Sequence, residues 1–143
     1  MKKHLFTVAA ATLALSLASC DKKDDPIPTK LQGYFYTPDS TSSEKPLTLY
    51  MDGVKKGYLP YIKASYDRPL DFADPVLKST ALQFEFMSGT HRFESRDAEG
   101  KVVSSTTMSF DYYKNGTSGS ATSSVGGAGS SSTGTTAVVW LTR

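Results

Sequence analysis

The sequence predicts an all-β fold: a small antiparallel β-sandwich of hairpins, with a flexible Gly/Ser/Thr-rich loop before its last strand. Three observations predict it. Leu47, Leu49 and Met51 alternate with Thr48 and Tyr50, and Leu82, Phe84 and Phe86 alternate with Gln83 and Glu85, the period of strands with one buried face. Asp52-Gly53 directly follows the first run, and this dipeptide tolerates positive φ at both centres of a type I′ hairpin turn. Ala137-Val138-Val139-Trp140-Leu141 is a compact apolar run that would be poorly soluble if exposed, so it is expected to dock as a final strand.

In chain order, Met1-Lys2-Lys3-His4 is a short basic start, residues 5–17 are apolar, and Ala18-Ser19 are small, which is the three-part plan of a secretory signal. The apolar run falls short of the about 20 residues that a permanent membrane span needs. Cys20, the only cysteine, comes next. Leu17-Ala18-Ser19-Cys20 resembles the lipobox of bacterial lipoproteins. The resemblance implies that residues 1–19 are a signal peptide, that cleavage leaves Cys20 at the new N-terminus, and that its thiol and amino group are acylated. Several acyl chains on one residue anchor firmly, at about 0.8 kcal/mol for each buried methylene.

Lys23-Asp24-Asp25, just after this cysteine, is similar to the acidic export signal of Bacteroidota-type lipoproteins. That similarity implies an address on the outer membrane, facing the cell exterior; the plain alternative is a solvated spacer. Residues 20–30, with Pro26 and Pro28, read as a lipidated acidic tether, and residues 31–143 as one domain.

Cleavage would leave 124 of the 143 residues, a length suited to one domain. Two of the 16 basic residues lie in the leader, so the mature chain carries 14 basic against 14 acidic residues. Such balance offers no basic patch for nucleic acid, and no nucleic-acid partner is expected. With Cys20 acylated no thiol remains for a disulfide, a zinc site or a nucleophile.

Residues 31–36 mix aromatic and small side chains as a first edge strand would. Residues 37–45 form a polar loop in which Asp39-Ser40-Thr41 resembles an O-glycosylation site of Bacteroidota-type exported proteins. Ser40 is thus a candidate acceptor, beside the plain reading of a polar turn. Residues 54–59 return from the Asp52-Gly53 turn as a second strand, which Pro60 stops. Asp74-Pro75 has an N-cap acid before a proline at the first helical position, so one helical turn is expected there. Asp67, Asp71 and Asp74 suggest calcium but lack the ligand spacing and glycine of a dedicated loop, and solvated acids are the favoured reading. No metal or cofactor is expected.

Residues 90–96 and 101–110 read as two strands joined through Gly100. Of the 22 residues from 115 to 136, 18 are Gly, Ser or Thr. Ordering each costs about 1–2 kcal/mol of backbone entropy with little apolar surface to offset it, so this stretch is expected to be disordered.

Leu49-Tyr50-Met51-Asp52-Gly53, Gly57-Tyr58-Leu59-Pro60 and Ser88-Gly89-Thr90-His91 together are similar to the PEGA-type β-module and to small surface lipoproteins built like it. The likeness covers residues 46–110. It implies an immunoglobulin-like sandwich used for display or adhesion. The chain departs from the pattern in the insert between Pro60 and Leu82, in Leu59 and in the glycine-rich stretch.

His91 is the only histidine outside the leader, and no nucleophile elbow or phosphate-binding loop accompanies it, so a structural hydrogen bond is its expected role. Glu85 and Glu94, on successive strands, are the carboxylate pair on which the remaining alternative, a hydrolase, would be built. Among eight tyrosines, Tyr58, Tyr61, Tyr66, Tyr112 and Tyr113 are candidates for a flat surface that takes a glycan or an envelope protein. The expected function is therefore a non-enzymatic, lipid-anchored structural or interaction module of the envelope; a glycan- or peptide-binding accessory lipoprotein is the alternative.

Overall fold

The computed structural model describes residues 25–65, 70–113, 116–125 and 127–142. Among them are nine strands: β1 (Lys30–Tyr36), β2 (Leu47–Met51), β3 (Val54–Leu59), β4 (Leu82–Met87), β5 (Gly89–Arg96), β6 (Val102–Tyr113), β7 (Gly116–Val125), β8 (Ala128–Thr133) and β9 (Thr136–Leu141). One short helix, α1 (Pro75–Thr80), and a 3-10 turn at Ser40–Ser43 complete the elements. The strands form a four-stranded sheet of order β4-β1-β9-β8 and a five-stranded sheet of order β3-β2-β5-β6-β7. The all-β sandwich expected from the alternating runs is the fold.

The hairpins form where turn chemistry allows. Asp52 and Gly53 have φ of 51° and 79°, both positive as a type I′ turn requires, and they join β2 to β3. Asp97 and Lys101 close the loop before β6, Asp97 Oδ1 accepting from the Lys101 N–H at 2.8 Å, and β5 pairs β6 from Gly89↔Phe110 to Arg96↔Val102.

Between the sheets lies one apolar cluster, with Leu31, Phe35, Leu49, Phe93, Phe110 and Val139 at its centre. A second cluster lies on the other face of the four-stranded sheet, where Tyr36, Val138 and Trp140 meet Ile62, Leu77 and Ala81. The period of two explains both: Leu31 and Phe35 of β1 face inward while Tyr34 and Tyr36 face outward, and in β9 Ala137, Val139 and Leu141 oppose Val138 and Trp140. Residues 60–65 and 70–81 cover this outer face. Asp74 Oδ1 accepts from the Val76 N–H at 2.8 Å, capping α1 ahead of Pro75 as expected; Leu77 of that helix is fully buried.

Four expectations are corrected. First, β1 is not an edge strand: it lies between β4 and β9, because both of its faces are apolar. Second, the sandwich is not purely antiparallel, since β1 runs parallel to β9. Third, the Gly/Ser/Thr-rich stretch is not a loop. It supplies β7 on β6 and β8 on β9, each held by a backbone ladder. Gly129 shows how composition helps, because a Cβ there would collide with the indole ring of Trp140, its partner on β9. Fourth, the tether is not free along its whole length. The Ile27 N–H donates to the Tyr112 carbonyl at 2.7 Å, and the Ser88 N–H donates to the Thr29 carbonyl at 2.7 Å. Pro26 and Pro28 hold φ extended on either side of Ile27, which suits a segment lying across the end of the sandwich.

Candidate functional site

Whereas residues 60–65 and 70–81 cover the four-stranded sheet, the outer face of the five-stranded sheet carries polar side chains. In β5, Arg92, Glu94 and Arg96 are two residues apart, so all three project from this face. Glu94 is only 6% exposed, although it lies on the outside of the sandwich. Arg92 Nη2 lies 2.8 Å from its Oε1, and Arg96 donates to its Oε2 from Nε at 3.1 Å and from Nη2 at 2.6 Å. The Arg96 guanidinium also stacks over the Tyr50 ring, 4.2 Å from the centroid, and Tyr50 is the residue opposite Glu94 on β2. One carboxylate thus holds two guanidinium groups, and the cluster keeps a net charge of one positive. Planar forks fixed in this way suit carboxylate, sulfate or hydroxyl groups of a partner. Individual residues did not suggest this cluster; the signal was the Arg-x-Glu-x-Arg spacing on a predicted strand.

A second polar cluster ties the sheets together near the tether. His91 Nδ1 is 2.8 Å from Asp52 Oδ2 and its Nε2 is 2.7 Å from the Met87 carbonyl oxygen. Both partners are acceptors, and which of them receives the single N–H of a neutral ring depends on the tautomer. Asp52 belongs to the β2–β3 turn and Met87 to β4, so one imidazole bridges the two sheets. Partial burial pushes the Asp52 pKa up. The Arg92 backbone N–H, the His91 ring and the nearby charges of His91 and Lys56 outweigh it, and the carboxyl titrates below the ordinary 3.8. His91 therefore has the structural role expected of it.

The candidate tyrosines that the structure describes sit on different elements. Tyr58 on edge strand β3 is 69% exposed, with Lys55 Nζ 5.6 Å from its ring centroid. Tyr61 is half-buried just beyond β3, in a bridge with Thr37. Tyr112 is half-buried near the opposite end of β6, against the tether. Tyr66 lies outside the described residues, as does the side chain of Tyr113. Tyr50, which sequence reading did not single out, is the ring built into a polar cluster.

Glu85 and Glu94 do not pair. Glu85 lies on β4 in the other sheet, exposed and 3.3 Å from Lys30 Nζ, and both Glu94 oxygens are taken by arginines. Asp71 and Asp74 accept from the backbone N–H groups of Ala73 and Val76, each at 2.8 Å, and so serve the local turn and helix; Asp67 lies outside the described residues. Among the described residues no three His, Cys, Asp or Glu side chains are grouped as a metal site. Ser40 is exposed at the start of the 3-10 turn that Asp39 caps. Asp25 is exposed, while Cys20, Lys23 and Asp24 lie outside the described residues. An open groove of about 350 Å³ runs between Glu44-Lys45-Pro46 and Asp97-Ala98-Glu99, at the end of the sandwich away from the tether.

Comparison with protein-family models, with curated proteins and with solved structures found no match to this chain.

Proposed function

We propose that the protein is a lipid-anchored lipoprotein of the outer membrane, facing the cell exterior, whose β-sandwich acts without catalysis as an interaction module of the envelope. The observation that carries this reading is Leu17-Ala18-Ser19-Cys20 at the end of a basic and apolar leader, with Cys20 the only cysteine of the chain. Lys23-Asp24-Asp25 supports the outward address, and the likeness of residues 46–110 to the PEGA-type module supports a display role. Cys20→Ala is expected to abolish palmitate labelling and to move the protein to the soluble fraction; labelling that survives the substitution refutes the anchor. Protease added to intact cells is expected to digest the wild type, and replacement of Asp24 and Asp25 by Ala to protect it.

The Arg92–Glu94–Arg96 cluster with Tyr50 favours a second reading, in which the module binds a glycan or peptide through the open face of the five-stranded sheet. The partner would present acidic or hydroxyl-rich groups to the two guanidiniums. On this reading Arg92→Ala/Arg96→Ala loses retention on uronic-acid polysaccharide while the wild type is retained. Equal behaviour of the two proteins rejects it.

A further inference from the structure

The anchor and the domain are joined by a segment that the structure does not leave free. Beyond the two backbone bonds at Ile27 and Ser88, the Thr29 N–H donates to Ser88 Oγ at 2.8 Å, and Ser88 Oγ donates to the Ile27 carbonyl at 3.2 Å. Residues 27–29 are thereby stitched to β6 of one sheet and to the β4–β5 turn that links the two sheets. Cys20 stands seven residues before Ile27, a span of at most about 25 Å even when fully extended.

This end of the sandwich also carries exposed apolar side chains. Ile27 is 41% exposed and Met87, next to Ser88, is 47% exposed. The opposite end carries Glu44, Asp97 and Glu99. Twelve-residue β6 runs between the two ends, about 35 Å long. Tyr112 lies at its near end and Val102, beside the Asp97–Lys101 loop, at its far end. The near end therefore combines a short connection to the acylated residue with apolar groups that gain by leaving water.

The geometry points to an oriented domain: the Ile27–Met87 end rests on the phospholipid surface, and the far end with its acidic groove is held away from it. This inference rests on the lipid-anchor reading of Cys20. The groups at the near end are mixed in sign, with Lys30, Asp25 and Glu85 all exposed, so contact with a zwitterionic surface suffices.

The test uses the full lipidated protein. Since Cys20 is acylated, a cysteine introduced elsewhere is the single reactive thiol, and Lys30→Cys at the near end and Glu99→Cys at the far end can each carry one fluorophore. In phosphatidylcholine vesicles bearing a nitroxide on the lipid headgroup, the Lys30 label is expected to be quenched several-fold more than the Glu99 label. Equal quenching of both, or stronger quenching at Glu99, overturns the orientation while leaving the anchor intact. A protein that fails to float with the vesicles instead refutes the anchor, and the orientation with it. Adding Ile27→Ser and Met87→Ser to the Lys30 variant should leave flotation unchanged and lower the quenching several-fold. Unchanged quenching overturns the apolar contact.

Discussion

The two sheets solve the same problem in opposite ways. The four-stranded sheet is apolar on both faces, and residues 60–65 and 70–81 cover its outer side; the five-stranded sheet is apolar on one face and on its other, among the described residues of β5 and β6, carries charged and hydroxyl side chains. Burial on two faces takes most side chains of β1 and β9 out of water. The open sheet keeps the only arrangement among the described residues in which a buried carboxylate positions two guanidiniums toward solvent. The difference starts in the strands, whose outer face is apolar in one sheet and polar in the other, and the insert covers the apolar one.

The largest effects test whether the two apolar clusters are equivalent. Phe35→Ala, between the sheets, and Trp140→Ala, beneath the cover, are each expected to cost about 3–5 kcal/mol in urea unfolding. A loss at Trp140 much smaller than at Phe35 would make the cover peripheral and break the comparison. Next, Gly129→Val sets a side chain against the Trp140 ring and is expected to cost about 1–3 kcal/mol in the same measurement. If stability is unchanged, β8 does not depend on that close approach.

On the open sheet, Glu94→Gln removes the charge that holds Arg92 and Arg96. About 1–2 kcal/mol is expected from chemical denaturation, since the half-exposed arginines can rehydrate. Glu85→Gln breaks a solvent-exposed pair with Lys30 and is expected to stay within about 0.5 kcal/mol. Similar values for the two would mean that Glu94 is no better held than an ordinary surface acid.

The smallest effect lies at the junction of the sheets. Asp52 has a folded pKa below its ordinary 3.8, so its contribution to stability is complete above that value and is lost as pH falls through the folded one. Asp52→Asn keeps a residue that tolerates the φ of 51°, and is expected to flatten the decline of stability below about pH 4. A decline as steep as in the wild type would remove the His91–Asp52 bridge as its cause.

Much of the fold was legible in local pattern. The β2–β3 hairpin followed from alternation and Asp52-Gly53, the β5–β6 hairpin from Gly100, and α1 from Asp74-Pro75, because each depends on residues within one turn of each other. The docked strands β7 and β8 were not legible: Gly, Ser and Thr give no local reason to be extended, and their order comes from hydrogen bonds to β6 and β9. The carboxylate pair failed for a related reason. Adjacent in sequence order, β4 and β5 belong to different sheets, so alternation within each strand said nothing about whether Glu85 and Glu94 meet.

The sequence by itself determined the strand class, the turns, the charge balance and the residues on which an anchor would be built, since these follow from side-chain chemistry over a few residues. Tertiary structure alone decided which strands pair, that residues 60–65 and 70–81 cover one sheet, that residues 27–29 lock onto the end of the sandwich, and that Glu94 is buried between two arginines. Those outcomes depend on contacts between residues far apart in the chain, and only the packed molecule brings them together.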